Sequence, residues 1–178
     1  MPQPAPPKTQ TLYTGQVIRL GLEIATLPNQ QQLTLEIVRH PGGAGTLAYN
    51  TRQQVCLVYQ YRHAANGWIW EIPAGKIDAP ESPLHTAQRE LREETGIQAQ
   101  HWQTLGTLLS TPGFCDETLY LFLAQQLQLF ESQPEANECL EVHWIDLQQA
   151  LAWAMDDTIR DAKTVAALFR AHRLLGLG

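Results

Sequence analysis

Between Tyr13 and Ile37 apolar residues alternate with polar ones, first in VIRLGLEI and again in LTLEIV, with PNQQQ between the two runs. A period of two sends successive side chains to opposite faces of a strand, so this stretch predicts two strands joined by a turn. HPGGAG at residues 40–45 predicts a loop, and QVCLVYQYR after it predicts a buried strand with a polar tip at Arg62. HAANG turns the chain, and WIWEIPAG predicts a short strand closed by Pro73 and Gly75. From Pro83 to Thr95 the spacing becomes helical, and Gly96 follows as a natural C-terminal cap.

Beyond Gly96, IQAQHWQTLGTLL and TLYLFLAQQL predict strands separated by the turn STPGFCDE. An acidic loop, ESQPEANE, leads to a strand at LEVHWI, and helices are expected near Leu147–Met155 and Ala162–Leu175. Strands and helices mix here without regular alternation, which argues against a doubly wound parallel sheet. The opening MPQPAPP carries four prolines in seven residues, so residues 1–12 are expected to be a disordered lead-in. Residues 13–45 then form a small antiparallel β-region, and residues 46–178 the main domain.

Composition narrows the partners. The chain has 178 residues, is 44% apolar, and carries 12 Lys+Arg against 18 Asp+Glu for a formal charge of −6. No basic run is long enough to follow a polymeric nucleic acid, and no apolar run approaches the roughly 18 residues of a membrane span. Cys56, Cys115 and Cys139 are odd in number and widely spaced, which suits reduced thiols in a cytoplasm. An acidic protein that binds an anionic small molecule needs local positive charge, from metal ions or a few placed arginines.

The charge is concentrated in RELREE, residues 89–94, although only 17% of the chain is charged. On a helical wheel Leu84, Ala87 and Leu91 share one side, while Glu90, Glu93 and Glu94 share the adjacent arc. Like charges at these spacings repel, and one Arg89 to Glu93 pair leaves a negative surplus. Clustered carboxylate oxygens suit a hard cation such as Mg²⁺, or Mn²⁺ as the alternative.

Gly75, five residues, Glu81, seven residues, then Arg89-Glu90-Leu91-Arg92-Glu93-Glu94-Thr95-Gly96-Ile97 resembles the signature of the Nudix hydrolases at all nine specified positions. The resemblance implies an α/β (α+β) domain: the Nudix fold, an αβα sandwich around a mixed β-sheet, here with the small N-terminal antiparallel β-appendage. It further implies a metal-dependent hydrolase of nucleoside diphosphate derivatives. By position Glu90 and Glu94 would be the core metal ligands, with Glu93 and the backbone carbonyl of Ala74 as additional ones. Arg89 would orient the carboxylates, Glu81 would support the cage, and Gly75 and Gly96 would shape the turns around the helix.

EIPAGKID, QYR at 60–62, Pro112 sixteen positions beyond Gly96, STPGFCDE, LEVHWIDL and IRDAKTVAAL together resemble the ADP-ribose pyrophosphatase branch. That branch implies a nucleotide-sugar substrate split to AMP and ribose 5-phosphate, with Arg62, Pro112, Gly113 and Glu117 as substrate contacts. It also implies a general base on the acidic loop, with Glu138 preferred and Glu135 in reserve, and a homodimer built on the N-terminal hairpin. The chain departs from that branch in its aromatics. All five tryptophans (68, 70, 102, 144, 153) lie beyond the N-terminal region, where only Tyr13 and Tyr49 are found. Pro80 and Pro83 bracket Glu81 and stiffen its loop. The alternatives are a Nudix pyrophosphatase for another nucleotide sugar or a dinucleotide, and a non-catalytic nucleotide-binding regulator.

Overall fold

Three antiparallel strands open the chain: β1 (Lys8–Thr14), β2 (Arg19–Thr26) and β3 (Gln32–Arg39). The computed structural model describes residues 8–131 and 139–177. These fall into two units, with Leu109–Thr118 grouped with the residues up to Gly42, and the rest forming the second unit. In the first unit β2 pairs with β1 from Ile24↔Lys8 to Arg19↔Thr14 and with β3 from Arg19↔Arg39 to Thr26↔Gln32. The turn between β2 and β3 closes through Gln30 N–H on the Leu27 carbonyl at 2.9 Å, as PNQQQ predicts. Two corrections follow. The hairpin gains a third strand, and it begins at Lys8 within the expected lead-in. The reason is that the prolines end at Pro7, and the Thr-rich stretch after them pairs through its main chain with β2.

The segment Leu109–Thr118 is stitched to the end of β3. Val38 N–H donates to the Phe114 carbonyl at 2.7 Å, and Asp116 N–H donates back to the Val38 carbonyl at 3.2 Å. Arg39 grips Glu23 with a bidentate fork and reaches Asp116 at 3.0 Å; against partial desolvation, the His40 N–H at 2.8 Å and then Arg39 hold the Asp116 carboxyl below its usual range.

The second unit is built on a mixed sheet. It contains β4 (Gly43–Tyr49), β5 (Gln54–Arg62), β6 (Gly67–Glu71), β7 (Ala74–Lys76), β8 (Ile97–Leu109), β9 (Thr118–Leu129) and β10 (Leu140–Asp146). The order is β10-β5-β4-β9-β8, with β6 paired to β5 and β7 to β4; β4 and β9 run parallel. HPGGAG is a correction: Gly43-Ala44-Gly45 is not loop but the buried start of a strand covered on both edges. Side chains of ordinary size do not fit there. A Cβ on Gly45 would lie 2.9 Å from Ile72 Cδ1, and one on Gly43 would lie 3.2 Å from the Gly75 carbonyl oxygen. Glycine marks close approach at these positions rather than a turn.

Alternation along these strands sorts two cores. Leu47, Val55, Leu57, Leu121 and Leu123 meet α2 (Leu147–Met155) and α3 (Ala162–Leu174) through Leu147, Leu151 and Leu168. Ala48, Cys56 and Ala124 point the other way and meet Leu91 of α1 (Pro83–Thr95). Helices on both faces of one sheet make the αβα sandwich. Ser82 caps α1 by accepting from His85 N–H at 3.3 Å, Pro83 takes the first turn, and Gly96 ends it at φ 69°. The helix buries Thr86, Ala87, Glu90, Leu91 and Glu94, whereas Leu84, expected on the apolar side, is 37% exposed. Ala87 and Leu91 are buried as the periodicity predicts, and Glu90 and Glu94 on the adjacent arc are buried with them.

The tryptophans are engaged in packing. Trp70 lies 4.7 Å from Tyr59 and 5.2 Å from Trp153 between ring centroids, Trp68 stacks on Tyr59, and Trp144 joins the α1-side core. Trp102 donates from its indole to the Ala99 carbonyl at 3.0 Å.

Candidate active site

The chain leaves β6 alongside β5, passes Ile72 and Pro73, and re-enters the sheet as β7 alongside β4. Thr46 N–H donates to the Pro73 carbonyl at 2.9 Å across the switch. This fixes Ala74 and Gly75 against the buried side of α1. Ala74 N–H donates to Glu94 Oε2 at 3.1 Å, and Glu94 is 1% exposed. Glu90 presses its carboxylate onto Gly75 so closely that a Cβ there would stand 1.9 Å from Oε1. Gly75 is therefore required for contact with Glu90, a different reason from the tight turn expected of it.

Arg89 organises the rest. Its Nε and Nη2 donate to the two Glu81 oxygens at 3.0 and 3.1 Å, and its Nη1 donates to Glu90 at 2.8 Å and to Glu93 at 2.9 Å. One guanidinium thus bridges three carboxylates, which explains why charges that repel along the helix coexist. The Glu81 hydrogen bonds raise Arg89 above the ordinary arginine value, with Glu90 and Glu93 adding to them. In return Arg89, then Thr86 with its hydroxyl 2.8 Å away, hold the Glu81 carboxyl down at about 2. Glu93 is the open member: its side chain is 38% exposed, and it borders a cleft of about 580 Å³ shared with Arg92 and Trp102.

The donor set of Glu90, Glu93, Glu94 and the Ala74 carbonyl consists of hard oxygens only, which fits a divalent cation of the Mg²⁺ type. Among the described residues no three acidic, His or Cys side chains converge on a single point, and Arg89 Nη1 lies within hydrogen-bond distance of both Glu90 and Glu93. The donor set fits such an ion.

A second cluster lies where β5 meets β6. Arg62 Nε donates to Glu71 Oε1 at 2.7 Å and Nη2 to Oε2 at 2.9 Å, a bidentate pair on a carboxylate only 2% exposed. Lys163 Nζ donates to the same Oε2 and lies 3.1 Å from Asp161. Asp161 caps α3 by accepting from Thr164 N–H at 3.0 Å, and Thr164 Oγ1 accepts from Ile72 N–H at 2.8 Å. Burial alone would push the Glu71 carboxyl up; the Arg62 hydrogen bonds and the Lys163 and Arg62 charges outweigh it and bring it below the usual range. Sequence reading singled out Arg62 and missed Glu71 and Lys163. Both stood inside quoted motifs, EIPAGKID and IRDAKTVAAL, but only the sheet pairing Val58↔Glu71 and the α3 cap bring them to Arg62.

Pro112, Gly113 and Glu117 belong to the first unit. Pro112 and Gly113 sit at the tip of a turn closed by Phe114 and Cys115 N–H on the Thr111 carbonyl, and a Cβ on Gly113 would meet nothing within 4 Å. Glu117 lies 3.3 Å from His40 Nδ1. Glu135 and Glu138 lie outside the described residues.

A loop, helix and loop that gather glutamates around an arginine clamp, on one face of a mixed sheet with helices on both faces, define the Nudix class of hydrolase. The NUDIX domain family model matches residues 39–168, and the chain belongs to that family. The chain is 37% identical to an ADP-ribose pyrophosphatase of Bacillus subtilis (strain 168), over 89% of this chain and 87% of that protein. It is 34% identical to the ADP-ribose pyrophosphatase of Mycobacterium tuberculosis, over 92% of this chain and 81% of the other. A methanol dehydrogenase activator of Bacillus methanolicus is 36% identical, over 90% of this chain and 88% of that one. Among solved structures, that of an ADP compounds hydrolase matches the fold with a TM-score of 0.81 at 21% identity, covering 100% of this chain and 99% of its own.

Proposed function

We propose that the protein hydrolyses the diphosphate bond of ADP-ribose, and of related nucleoside diphosphate sugars, to AMP and ribose 5-phosphate. The carrying observation is the Arg89 clamp on Glu81, Glu90 and Glu93 beside Glu94, in a chain similar over most of its length to two ADP-ribose pyrophosphatases. Nudix hydrolases generally need a divalent metal; here Glu90 and Glu94, with Glu93 and the Ala74 carbonyl, would hold Mg²⁺, with Mn²⁺ as the alternative. When bound, such a metal neutralises phosphate charge and acidifies an attacking water.

The protein's own groups supply binding, orientation and proton transfer. Arg89 keeps the carboxylates in place, and Arg62 offers its guanidinium to the diphosphate. Pro112, Gly113 and Glu117 are proposed as substrate contacts. Glu138, with Glu135 in reserve, is proposed to take the proton of the water that attacks phosphorus, after which the P–O bond to the leaving phosphate breaks.

Assembly as a homodimer through the N-terminal sheet is part of the proposal. Leu12, Tyr13, Val17, Ile18, Ile24 and Leu33 are large apolar side chains exposed there, more than a three-stranded sheet leaves in water without a use. A monomer by sedimentation would remove it. A cytoplasmic setting is proposed from the three unpaired cysteines.

The test is product analysis with Mg²⁺ and a panel of ADP-ribose, other nucleotide sugars, dinucleotides and nucleoside triphosphates, with Glu94→Gln as control. AMP and ribose 5-phosphate from ADP-ribose, lost in the control, is the expected result. Preference for another panel member reassigns the substrate, and binding without turnover moves the protein to a non-catalytic regulator.

A further inference from the structure

Glu71 is shared by two cations that come from different parts of the chain. Arg62 holds it from the end of β5 with Nε and Nη2, while Lys163 holds Oε2 from the first turn of α3. The two cations differ in exposure. Arg62 is 41% exposed at its side chain, Lys163 12%, and Glu71 2%. Arg62 thus holds Glu71 through Nε and Nη2 while its side chain stays partly open to solvent. The arrangement also has a fixed frame, because Asp161 and Thr164 at the α3 N-terminus bind Lys163 and the Ile72 N–H respectively.

A lone bidentate pair between Arg62 and Glu71 would consume the arginine's charge. A buried carboxylate attracts its counter-ion strongly, and a guanidinium so neutralised has little field left for an anion. The second cation changes this. Lys163 meets the Glu71 charge at the buried end, beside Asp161, and Arg62 is the more exposed of the two cations on that carboxylate.

We propose that Lys163 is a positioning residue for substrate binding: by sharing the charge of Glu71 it leaves the Arg62 guanidinium oriented and positively charged toward a substrate diphosphate. The inference rests on the reading of the site as an ADP-ribose hydrolase. It assigns Lys163 no contact with substrate and no part in the chemical step.

The experiment is steady-state hydrolysis of ADP-ribose by wild type, Lys163→Met, Lys163→Gln and Lys163→Arg, each checked by thermal melting. Lys163→Met is expected to raise KM about tenfold, equivalent to about 1.4 kcal/mol of binding, while kcat falls by less than KM rises. Lys163→Gln, which keeps a hydrogen-bond donor for Glu71 and removes only the charge, must give the same shift. Lys163→Arg must restore KM to near the wild-type value. An unchanged KM in Lys163→Met, or a loss confined to kcat, overturns the inference while leaving the hydrolase reading intact. Unfolding of both neutral variants overturns it too, by making the charge a stability element. Absence of wild-type turnover of ADP-ribose removes the hydrolase reading and this inference together.

Discussion

The Glu90 carboxylate occupies the place a side chain at residue 75 would take: a Cβ on Gly75 would lie 1.9 Å from Oε1 and 2.1 Å from Cδ. A Glu90 carboxylate that swung aside would leave the position from which it accepts from Arg89 at 2.8 Å. Gly75→Ala must therefore displace Glu90 by about an ångström or more. Misplacement on that scale typically costs about 100-fold in rate. We expect kcat for ADP-ribose to drop by that order with the fold retained, as read by kinetics beside a thermal melt. Activity within about threefold of wild type would show that the contact is dispensable.

Arg89→Lys tests the clamp. Lysine keeps the charge but has no planar fork, so it cannot meet Glu81 with two parallel bonds while a third nitrogen edge bridges Glu90 and Glu93. Groups that orient metal ligands typically contribute 10-fold to 100-fold. A fall of about that size in kcat/KM is expected, with weaker apparent affinity for Mg²⁺ in a metal titration. A titration midpoint equal to wild type would place Arg89 outside the orienting role.

Much of this was legible from pattern, and the failures share a cause. α1 was predicted at its observed limits because proline at the start, glycine after the end and helical spacing all agree locally. The αβα arrangement followed from the signature, whose spacing is itself a local property. Gly43 and Gly45 misled because glycine in sequence signals freedom, whereas here it signals the crowding of β4 between β7, β9 and Ile72. Leu84 was misplaced because the wheel treats apolar residues as the buried ones, while Glu90 and Glu94 are drawn inward by Arg89 and the Ala74 N–H. Glu71 and Lys163 are 92 positions apart and meet only through tertiary packing.

Glu81 carries a pH signature. Its carboxyl is held at about 2, chiefly by Arg89 and then by Thr86, against about 4.5 for an unperturbed glutamate. The folded state therefore binds fewer protons than the unfolded chain between these values, and stability falls as pH is lowered through them. The contribution is complete above about 4.5 and gone below about 2. Melting temperatures of wild type and Glu81→Gln should differ most above pH 4.5 and converge as the pH approaches 2. Curves that run parallel across that range would mean the Arg89 to Glu81 pair adds nothing that titrates.

The three thiols should separate sharply by reactivity. Cys139 is exposed and Cys115 partly so, while Cys56 is buried beneath α1 in the core that contains Leu91 and Ala124. Burial first, and the nearby Glu94 charge second, push the Cys56 thiol up to about 12. Alkylation needs the thiolate. At pH 8 roughly one molecule in 10⁴ would carry it on Cys56 even without the steric barrier. Iodoacetamide should thus modify Cys139 and Cys115 in the native protein and reach Cys56 only when the sheet and α1 separate. Intact-mass analysis followed by peptide mapping reads this directly, and prompt native modification of Cys56 would contradict its place in the core. Because the folded thiol keeps its proton where an unfolded one loses it, between about 9 and about 12, stability should also fall as pH rises through that window. A Cys56→Ala variant removes that alkaline dependence at the price of a small cavity, so the two effects can be told apart: the cavity lowers the melting temperature at every pH, the thiol only above about 9.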